Sequence, residues 1–149
     1  MSELDVQQSF ELHPQLAEDC VVLGQFPLSL VLLNKDANYP WCILVPRRRG
    51  LRELHHMSRE DRLQLSDESC HLAEVMADLF VPDKINVAAL GNMVPQLHVH
   101  HIARFRRDMA WPSPVWGMAE AKDYTDEGLA ERVEQLKNAL AGDDFTPAP

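Results

Sequence analysis

The sequence predicts one α+β domain: an antiparallel sheet of about five strands with one long central helix and a C-terminal helix. The chain has 149 residues, which suits a single hydrophobic core. Several short apolar runs have the length of β-strands, and turn-forming residues separate most of them. Strands joined by short turns favour antiparallel pairing. Two further segments repeat apolar residues every three or four positions, which is the period of a helix.

The predicted elements follow one another along the chain in a simple order. Pro14 opens a short helix that runs to Glu18, because proline is favoured in a first helical turn. Ser58 is the predicted N-cap of the long helix, which ends near Pro82, and Thr125 caps the last helix. The predicted strands cover residues 20–23, 28–33, 41–45, 85–90 and 96–103.

The chain divides into four predicted parts: a flexible N-terminal tail (1–9), a main domain (10–117), a C-terminal helical extension (118–142) and a disordered tail (143–149). No apolar run has the length of a membrane span, and the first ten residues lack the pattern of a signal peptide. We therefore expect a cytoplasmic protein without a membrane partner. Three scattered cysteines argue against a disulfide framework and favour buried thiols.

The formal net charge of −9 is concentrated at the two ends of the chain. Residues 1–46 and 109–149 each carry −5, whereas residues 47–107 carry +2, so the middle can present a positive field to an anionic ligand. A nucleic-acid-binding surface is not expected, since the net charge is acidic and no aromatic residues alternate with the basic ones.

The stretch Gln96-Leu97-His98-Val99-His100-His101-Ile102 is the most informative segment for function. On a strand, Gln96, His98 and His100 share one face, while Leu97, Val99 and His101 take the other. A neutral imidazole on this polar face can attack phosphorus, provided that its second nitrogen donates to a fixed acceptor. The alternative is a metal site, but neighbouring strand residues point apart and the strand contains no acid. We favour the nucleophile and expect no metal and no cofactor.

At these residues the sequence resembles the histidine triad family, whose motif is His-φ-His-φ-His-φ-φ with φ apolar. The resemblance runs from about Phe10 to Trp116, and it includes the run Ile43-Leu44-Val45-Pro46 with basic residues after it, the long helix and the order of the strands. It implies a compact α+β fold covering the main domain, commonly a homodimer, that acts on the α-phosphate of nucleotide conjugates.

The resemblance also assigns catalytic roles by motif position. His98 is the residue that would attack and become nucleotidylated, and His100 would bind phosphate oxygens. Gln96 stands where the family has its first histidine, and it keeps hydrogen-bonding ability without carrying a proton charge. His101 is a second departure, because the motif expects an apolar residue there. Met93 is a third, since many relatives carry a hydroxyl at that position.

Six residues are candidates for binding the substrate, namely Asn34, Asn86, Gly91, Asn92, Met93 and Arg104. Asn34 would hold the ribose hydroxyls, and Asn86 would line the phosphate site; both are equally well explained as turn or strand-end residues. Gly91 and the backbone N–H groups of Asn92 and Met93 would face the phosphate. Arg104, four residues after His100, would attract a polyphosphate.

The predicted function is therefore a nucleotide hydrolase that works through a nucleotidyl-histidine intermediate. Its expected substrate is a purine nucleotide conjugate: a dinucleoside polyphosphate, a nucleoside phosphoramidate or an acyl-adenylate. A nucleotidyl transferase of the same fold is one alternative, in which an acceptor other than water takes the nucleotidyl group. A catalytically weak nucleotide-binding module is another, and Gln96 and Met93 are the features that support it.

Overall fold

The computed structural model describes residues 9–142 and 144–149. The described chain forms an α+β fold built on one antiparallel sheet of six strands in the order β4-β5-β3-β2-β1-β6. In chain order the elements are α1 (Pro14–Asp19), β1 (Cys20–Gln25), β2 (Ser29–Asn34), β3 (Trp41–Pro46), a 3₁₀ turn (Leu54–His56), α2 (Arg59–Phe80), β4 (Lys84–Ala88), β5 (Val99–Arg104), α3 (Asp126–Leu140) and β6 (Thr146–Pro147).

Both faces of the sheet are covered, which explains why β3 is apolar at every position and not at every second one. Cys42 and Leu44 point to the helix face, where α2 and α3 pack. Trp41, Ile43 and Val45 point to the opposite face, here called the loop face, which α1 and the irregular segment 105–118 cover. The site described below lies on the loop face.

The long helix α2 begins and ends where the sequence predicts. Ser58 Oγ accepts a hydrogen bond from the Asp61 amide at 3.1 Å, which satisfies one of the free donors of the first turn. The helix ends at Val81, whose positive φ of 49° marks a left-handed cap just before Pro82. Its apolar stripe, which includes Leu72, packs against the helix face of the sheet.

The C-terminal tail differs from its prediction as a disordered segment. Phe145 is buried in the helix-face core, and β6 pairs with β1 beside it. Gly24 permits this contact, because a Cβ at that position would overlap the Phe145 ring and the Thr146 carbonyl oxygen. Residue 143 lies outside the described residues, as do residues 1–8 of the predicted N-terminal tail.

Two further expectations need correction. The histidine strand begins at Val99 rather than at residue 96, so Gln96 and His98 precede β5. Cys20 and Cys42 are buried free thiols as expected, but Cys70 is exposed on α2. In the part of the chain that the structure describes, no helix combines the length and apolarity that a membrane crossing requires.

Candidate active site

His98 and His100 lie side by side on the loop face of the sheet. Their ring centroids are 4.9 Å apart, and the two side chains are 7% and 6% exposed. His100 is part of β5, whereas His98 belongs to the extended segment just before it. The expectation that the two rings share one face is confirmed, although only one of them lies on a regular strand.

The hydrogen bond of His98 determines which of its ring nitrogens has a lone pair. His98 Nδ1 lies 2.7 Å from the main-chain carbonyl oxygen of Gln96. A carbonyl oxygen can only accept, so Nδ1 carries the proton and donates it. In the neutral ring the lone pair is therefore on Nε2, and this is the arrangement that an attacking imidazole requires.

The opposite arrangement holds for His100, and Trp41 is the cause. The Trp41 indole Nε1–H donates to His100 Nδ1 at 3.0 Å. An indole can only donate, so Nδ1 keeps its lone pair and the ring proton is on Nε2. Burial, reinforced by the neighbouring His98 and His101, lowers the pKa of His100 to about 3. His100 is thus a neutral ring that offers one N–H donor.

His101 points to the helix face and takes no part in this pair. Its Nδ1 donates to the Val99 carbonyl oxygen at 3.1 Å, and its Nε2 accepts from Ser69 Oγ on α2 at 2.7 Å. Burial lowers its pKa to about 4, although the hydrogen bond to Val99 opposes the shift. His101 replaces the apolar residue of the motif with a polar link between β5 and α2.

The two histidines open into a cleft of about 620 Å³, here called the main cleft. Residues 90–94 form one wall, and Trp41 and Trp116 form an aromatic wall. The third wall comes from α1 and the start of β1 through Gln15, Leu16, Asp19 and Cys20. Burial, with Asp19 nearby, raises the pKa of the Cys20 thiol to about 12, so no thiolate nucleophile is present there at neutral pH.

Four of the six predicted substrate-binding residues line the main cleft, namely Asn34, Gly91, Asn92 and Met93. Asn34 ends β2, and its Oδ1 accepts from the Asp36 amide at 2.8 Å, which holds the turn at that end of the cleft. Gly91 has a positive φ of 82°, a conformation that favours glycine, and it turns the chain towards His98. The Met93 side chain is 92% exposed.

Arg104 and Asn86 do not reach the main cleft, so their predicted contacts with phosphate need correction. The Arg104 side chain is 2% exposed, and its guanidinium donates to both carboxylate oxygens of Asp108, to Asn86 Oδ1 and to the Ser113 carbonyl oxygen. Burial opposes ionisation of Asp108, but hydrogen bonds from Arg104 and three backbone amides outweigh it and lower the pKa of Asp108 to about 2.

The Arg104 network instead fixes the segment that carries Trp116. The Trp116 ring lies 5.0 Å from the His100 ring and 5.8 Å from that of Trp41, centroid to centroid, with both pairs edge to face. Trp41 and the α1 wall are functional positions that the sequence analysis missed. The one available signal was that a tryptophan in a buried strand needs a partner for its indole N–H.

A smaller cleft of about 270 Å³, here called the side cleft, adjoins the other side of His98. It shares Leu90, Gly91 and His98 with the main cleft and is also lined by Arg52 and His55. His98 therefore borders both clefts. Within residues 9–142 and 144–149, no group of three or more His, Cys, Asp or Glu residues has the arrangement of a metal site.

The Gln96 side-chain amide bonds to the main chain of Glu11 and His13, just before α1, while its main-chain carbonyl oxygen accepts from His98 Nδ1. Residues 10–16 pack on the loop face and Leu97 on the helix face, so these contacts agree with the expectation that Gln96 shares a face with His98 and His100. The amide is engaged with main-chain groups, and no hydrogen bond from it to either histidine is present among the described residues.

The α+β fold and the histidine motif at residues 96–102, with His98 and His100 facing one cleft, define a class of protein. A comparison with known families identifies that class. The HIT domain family matches residues 15–107, so the chain belongs to the histidine triad (HIT) family. No match was found among curated proteins.

Three solved histidine triad proteins are similar to this chain over most of their length. The one from Marinobacter aquaeolei VT8 has 50% sequence identity and a TM-score of 0.85, covering 88% of this chain and 96% of its own. The one from Bradyrhizobium japonicum has 41% identity and a TM-score of 0.86, covering 89% and 98%. The one from Sinorhizobium meliloti 1021 has 34% identity and a TM-score of 0.86, covering 90% and 99%.

Proposed function

We propose that this protein hydrolyses nucleotide conjugates at the α-phosphate, with His98 as the nucleophile. The observation that supports this most strongly is the hydrogen bond from His98 Nδ1 to the Gln96 carbonyl oxygen, 2.7 Å long, which leaves the lone pair on Nε2. A main-chain acceptor cannot rotate away as a side chain can, so the ring is oriented before the substrate binds.

The reaction has two displacement steps. His98 Nε2 attacks the α-phosphorus, a P–N bond forms, and the bond to the leaving group breaks; the leaving group takes a proton from solvent. The imidazolium that forms is stabilised by its Nδ1–H bond to Gln96. Water then attacks the phosphorus, the P–N bond breaks, a nucleoside monophosphate and a proton are released, and neutral His98 is restored.

His100 acts on the phosphoryl oxygens during both steps. Because Trp41 occupies Nδ1, the Nε2–H of His100 is the group that donates to a non-bridging oxygen. The backbone N–H groups of Asn92 and Met93 supply further donors from the loop beside it. Because the pKa of His100 is lowered to about 3, the ring is neutral across the physiological pH range, and its one remaining N–H is the Nε2–H.

The clefts accommodate the two parts of a conjugate. The purine nucleoside occupies the main cleft, with the base against the aromatic wall of Trp41 and Trp116 and the ribose hydroxyls near Asn34. The remainder of the conjugate extends into the side cleft past Gly91. A mononucleotide would fill only the first of these spaces, which favours a dinucleoside polyphosphate, phosphoramidate or adenylate as substrate.

We also propose a homodimer. β4 is one of the two edge strands of the sheet, and Leu54, Val87 and Leu90 close to it are about half exposed. An apolar groove of about 410 Å³ between α2 and this edge offers a second copy a surface to cover. Sedimentation at micromolar concentration tests this: a monomer that persists there would contradict the dimer.

The direct test of the activity is turnover of a fluorogenic adenosine phosphoramidate. We expect wild-type protein to release adenosine monophosphate and His98→Ala to lose turnover while still binding the nucleotide. His71→Ala, which changes an exposed histidine on α2, is the matched control and should retain wild-type rates. Binding without turnover in the wild type would favour the nucleotide-binding module, which the glutamine at position 96 supports. Transfer to an added alcohol in place of water would favour the transferase.

A further inference from the structure

Gln96 makes three hydrogen bonds that join two distant parts of the chain. Its main-chain carbonyl oxygen accepts from His98 Nδ1 at 2.7 Å. Its side-chain Oε1 accepts from the His13 main-chain N–H at 2.9 Å, and its Nε2 donates to the Glu11 carbonyl oxygen at 2.9 Å. One residue thus contacts both the nucleophile and a segment 83 to 85 positions earlier in the sequence.

The segment that Gln96 holds leads directly into the third wall of the main cleft. His13 caps α1, with its carbonyl oxygen accepting from the Ala17 amide at 3.0 Å. The following residues, Gln15 and Leu16, line the cleft, and Leu16 is 4% exposed. α1 has only six residues, so its position depends on contacts outside the helix.

We propose that Gln96 is a positioning residue that clamps the α1 wall of the nucleoside-binding cleft to the segment that carries the nucleophile, just before β5. The oxygen and NH2 of a glutamine amide lie side by side, so they can accept from one main-chain group and donate to another two residues away at the same time. A neutral imidazole also has one acceptor and one donor, but its two nitrogens point in divergent directions and do not match this pair of main-chain groups. Glutamine in place of the first motif histidine therefore replaces an imidazole near the nucleophile with hydrogen bonds that join the nucleophile's segment to the cleft wall. The expected change in KM rests on the proposed function, whereas the hydrogen bonds of the clamp do not depend on it.

The clamp predicts a change in binding rather than in chemistry. In Gln96→Ala the main-chain carbonyl that orients His98 is retained, but both bonds to residues 11 and 13 are lost. We expect KM for an adenosine phosphoramidate to rise about tenfold, the factor that corresponds to roughly 1.4 kcal/mol, while kcat falls much less. For a phosphoramidate that carries methyl in place of the nucleoside, kcat/KM should change little. Gln135→Ala, an exposed glutamine on α3, is the matched control.

A second pair of variants tests the same bond from its other end. His13 has φ of −54°, close to the value at which the proline ring fixes φ, so His13→Pro removes the N–H donor at a compatible backbone angle. His13→Ala keeps the N–H and loses only the imidazole, including its bond to the Gln15 amide. If the clamp holds the wall, His13→Pro raises KM more than His13→Ala. Combining His13→Pro with Gln96→Ala then adds little to the effect of Gln96→Ala alone.

Amide hydrogen exchange separates the clamp from the proposed activity. Peptides that cover residues 10–19 should exchange faster in Gln96→Ala than in wild type, while peptides from α2 are unchanged. This result supports the clamp even if no conjugate is hydrolysed, whereas unchanged exchange together with unchanged KM would overturn it. A fall in kcat at constant KM, on both the nucleoside and the methyl substrate, would overturn it as well, since it would assign Gln96 a direct role in the chemistry.

Discussion

At the scale of single residues, main-chain and indole groups determine the state of the two site histidines. His98 has its proton on Nδ1 because it faces a carbonyl oxygen, and His100 has its proton on Nε2 because it faces an indole N–H. His98 therefore presents a lone pair on Nε2 and His100 presents an N–H on Nε2, although the two residues are of the same type and only two positions apart. Both histidines can be placed from the sequence, but their protons cannot be assigned from it, since neither hydrogen-bond partner is part of the motif.

Trp41→Phe tests the assignment for His100. Without the indole donor, Nδ1 of His100 can take the proton, and the Nε2–H that faces the phosphoryl oxygen is present only part of the time. We expect kcat to fall about tenfold, which is the value of one buried hydrogen bond of about 1.4 kcal/mol. Trp116→Phe is the control, because that ring contacts His100 edge to face in the same cluster and no Trp116 hydrogen bond to His100 is present among the described residues. Equal kcat values for Trp41→Phe and wild type would contradict the assignment.

At the scale of secondary structure, the helices were easier to predict than the strand that carries the site. α2 and α3 have caps and apolar periods that are local in sequence, and both begin where predicted. β5 starts three residues later than predicted, because an extended segment before a strand has the same alternation as the strand itself. Arg104 was misassigned because its guanidinium is engaged by Asp108, Ser113 and Asn86, which lie 4, 9 and 18 positions away in sequence. No periodic pattern in the sequence brings these three residues together.

His101 connects β5 to α2, and its titration should be visible in the stability of the protein. Burial lowers its pKa to about 4 in the folded state, against 6.5 in the unfolded chain. Between these values the unfolded chain binds a proton that the folded one does not, so the free energy of unfolding decreases as pH falls from 6.5 towards 4. Above pH 6.5 His101 is neutral in both states, so its titration no longer changes the free energy of unfolding.

His101→Val removes this titration and restores the apolar residue of the family motif. We expect the free energy of unfolding of the variant to depend less steeply on pH between 4 and 6.5, by up to about one proton. Urea unfolding at closely spaced pH values measures the slope for both proteins. Parallel curves across this range would mean that His101 has the same pKa in the folded and unfolded states, contrary to the effect expected from its burial and its bond from Ser69.

At the scale of the whole molecule, the fold class follows from local patterns and the site follows from long-range contacts. Strand lengths, turns and helix periods predict the α+β class and nearly every element. The clamp of Gln96 and the docking of Phe145 on Gly24 each join residues that are more than 80 positions apart, and such pairings leave no periodic signal in one sequence. For this reason the α1 wall and the ordered C-terminus were not predicted.

Phe145 makes the C-terminal residues part of the helix-face core, so its removal should destabilise the whole fold. Phe145→Ala leaves a cavity where the ring contacts Phe26 at a centroid distance of 5.8 Å. We expect a loss of about 3 kcal/mol in the free energy of unfolding, measured by urea denaturation. Pro149→Ala, at the exposed end of the same segment, is the control. A loss below about 0.5 kcal/mol, the range of ordinary surface substitutions, would mean that the tail contributes little to the core.

In the proposed mechanism, Nε2 of His98 forms a covalent bond to the α-phosphorus of a nucleotide. The P–N bond of such an adduct is labile in acid and stable in alkali, so the protein is quenched with denaturant at alkaline pH during turnover of an adenosine conjugate and digested at alkaline pH before mass spectrometry. We expect a mass gain of one adenylyl group, located on His98 and absent from His98→Ala. Location of the group on His100, or turnover in His98→Ala at the wild-type rate, would show that His98 is not the nucleophile.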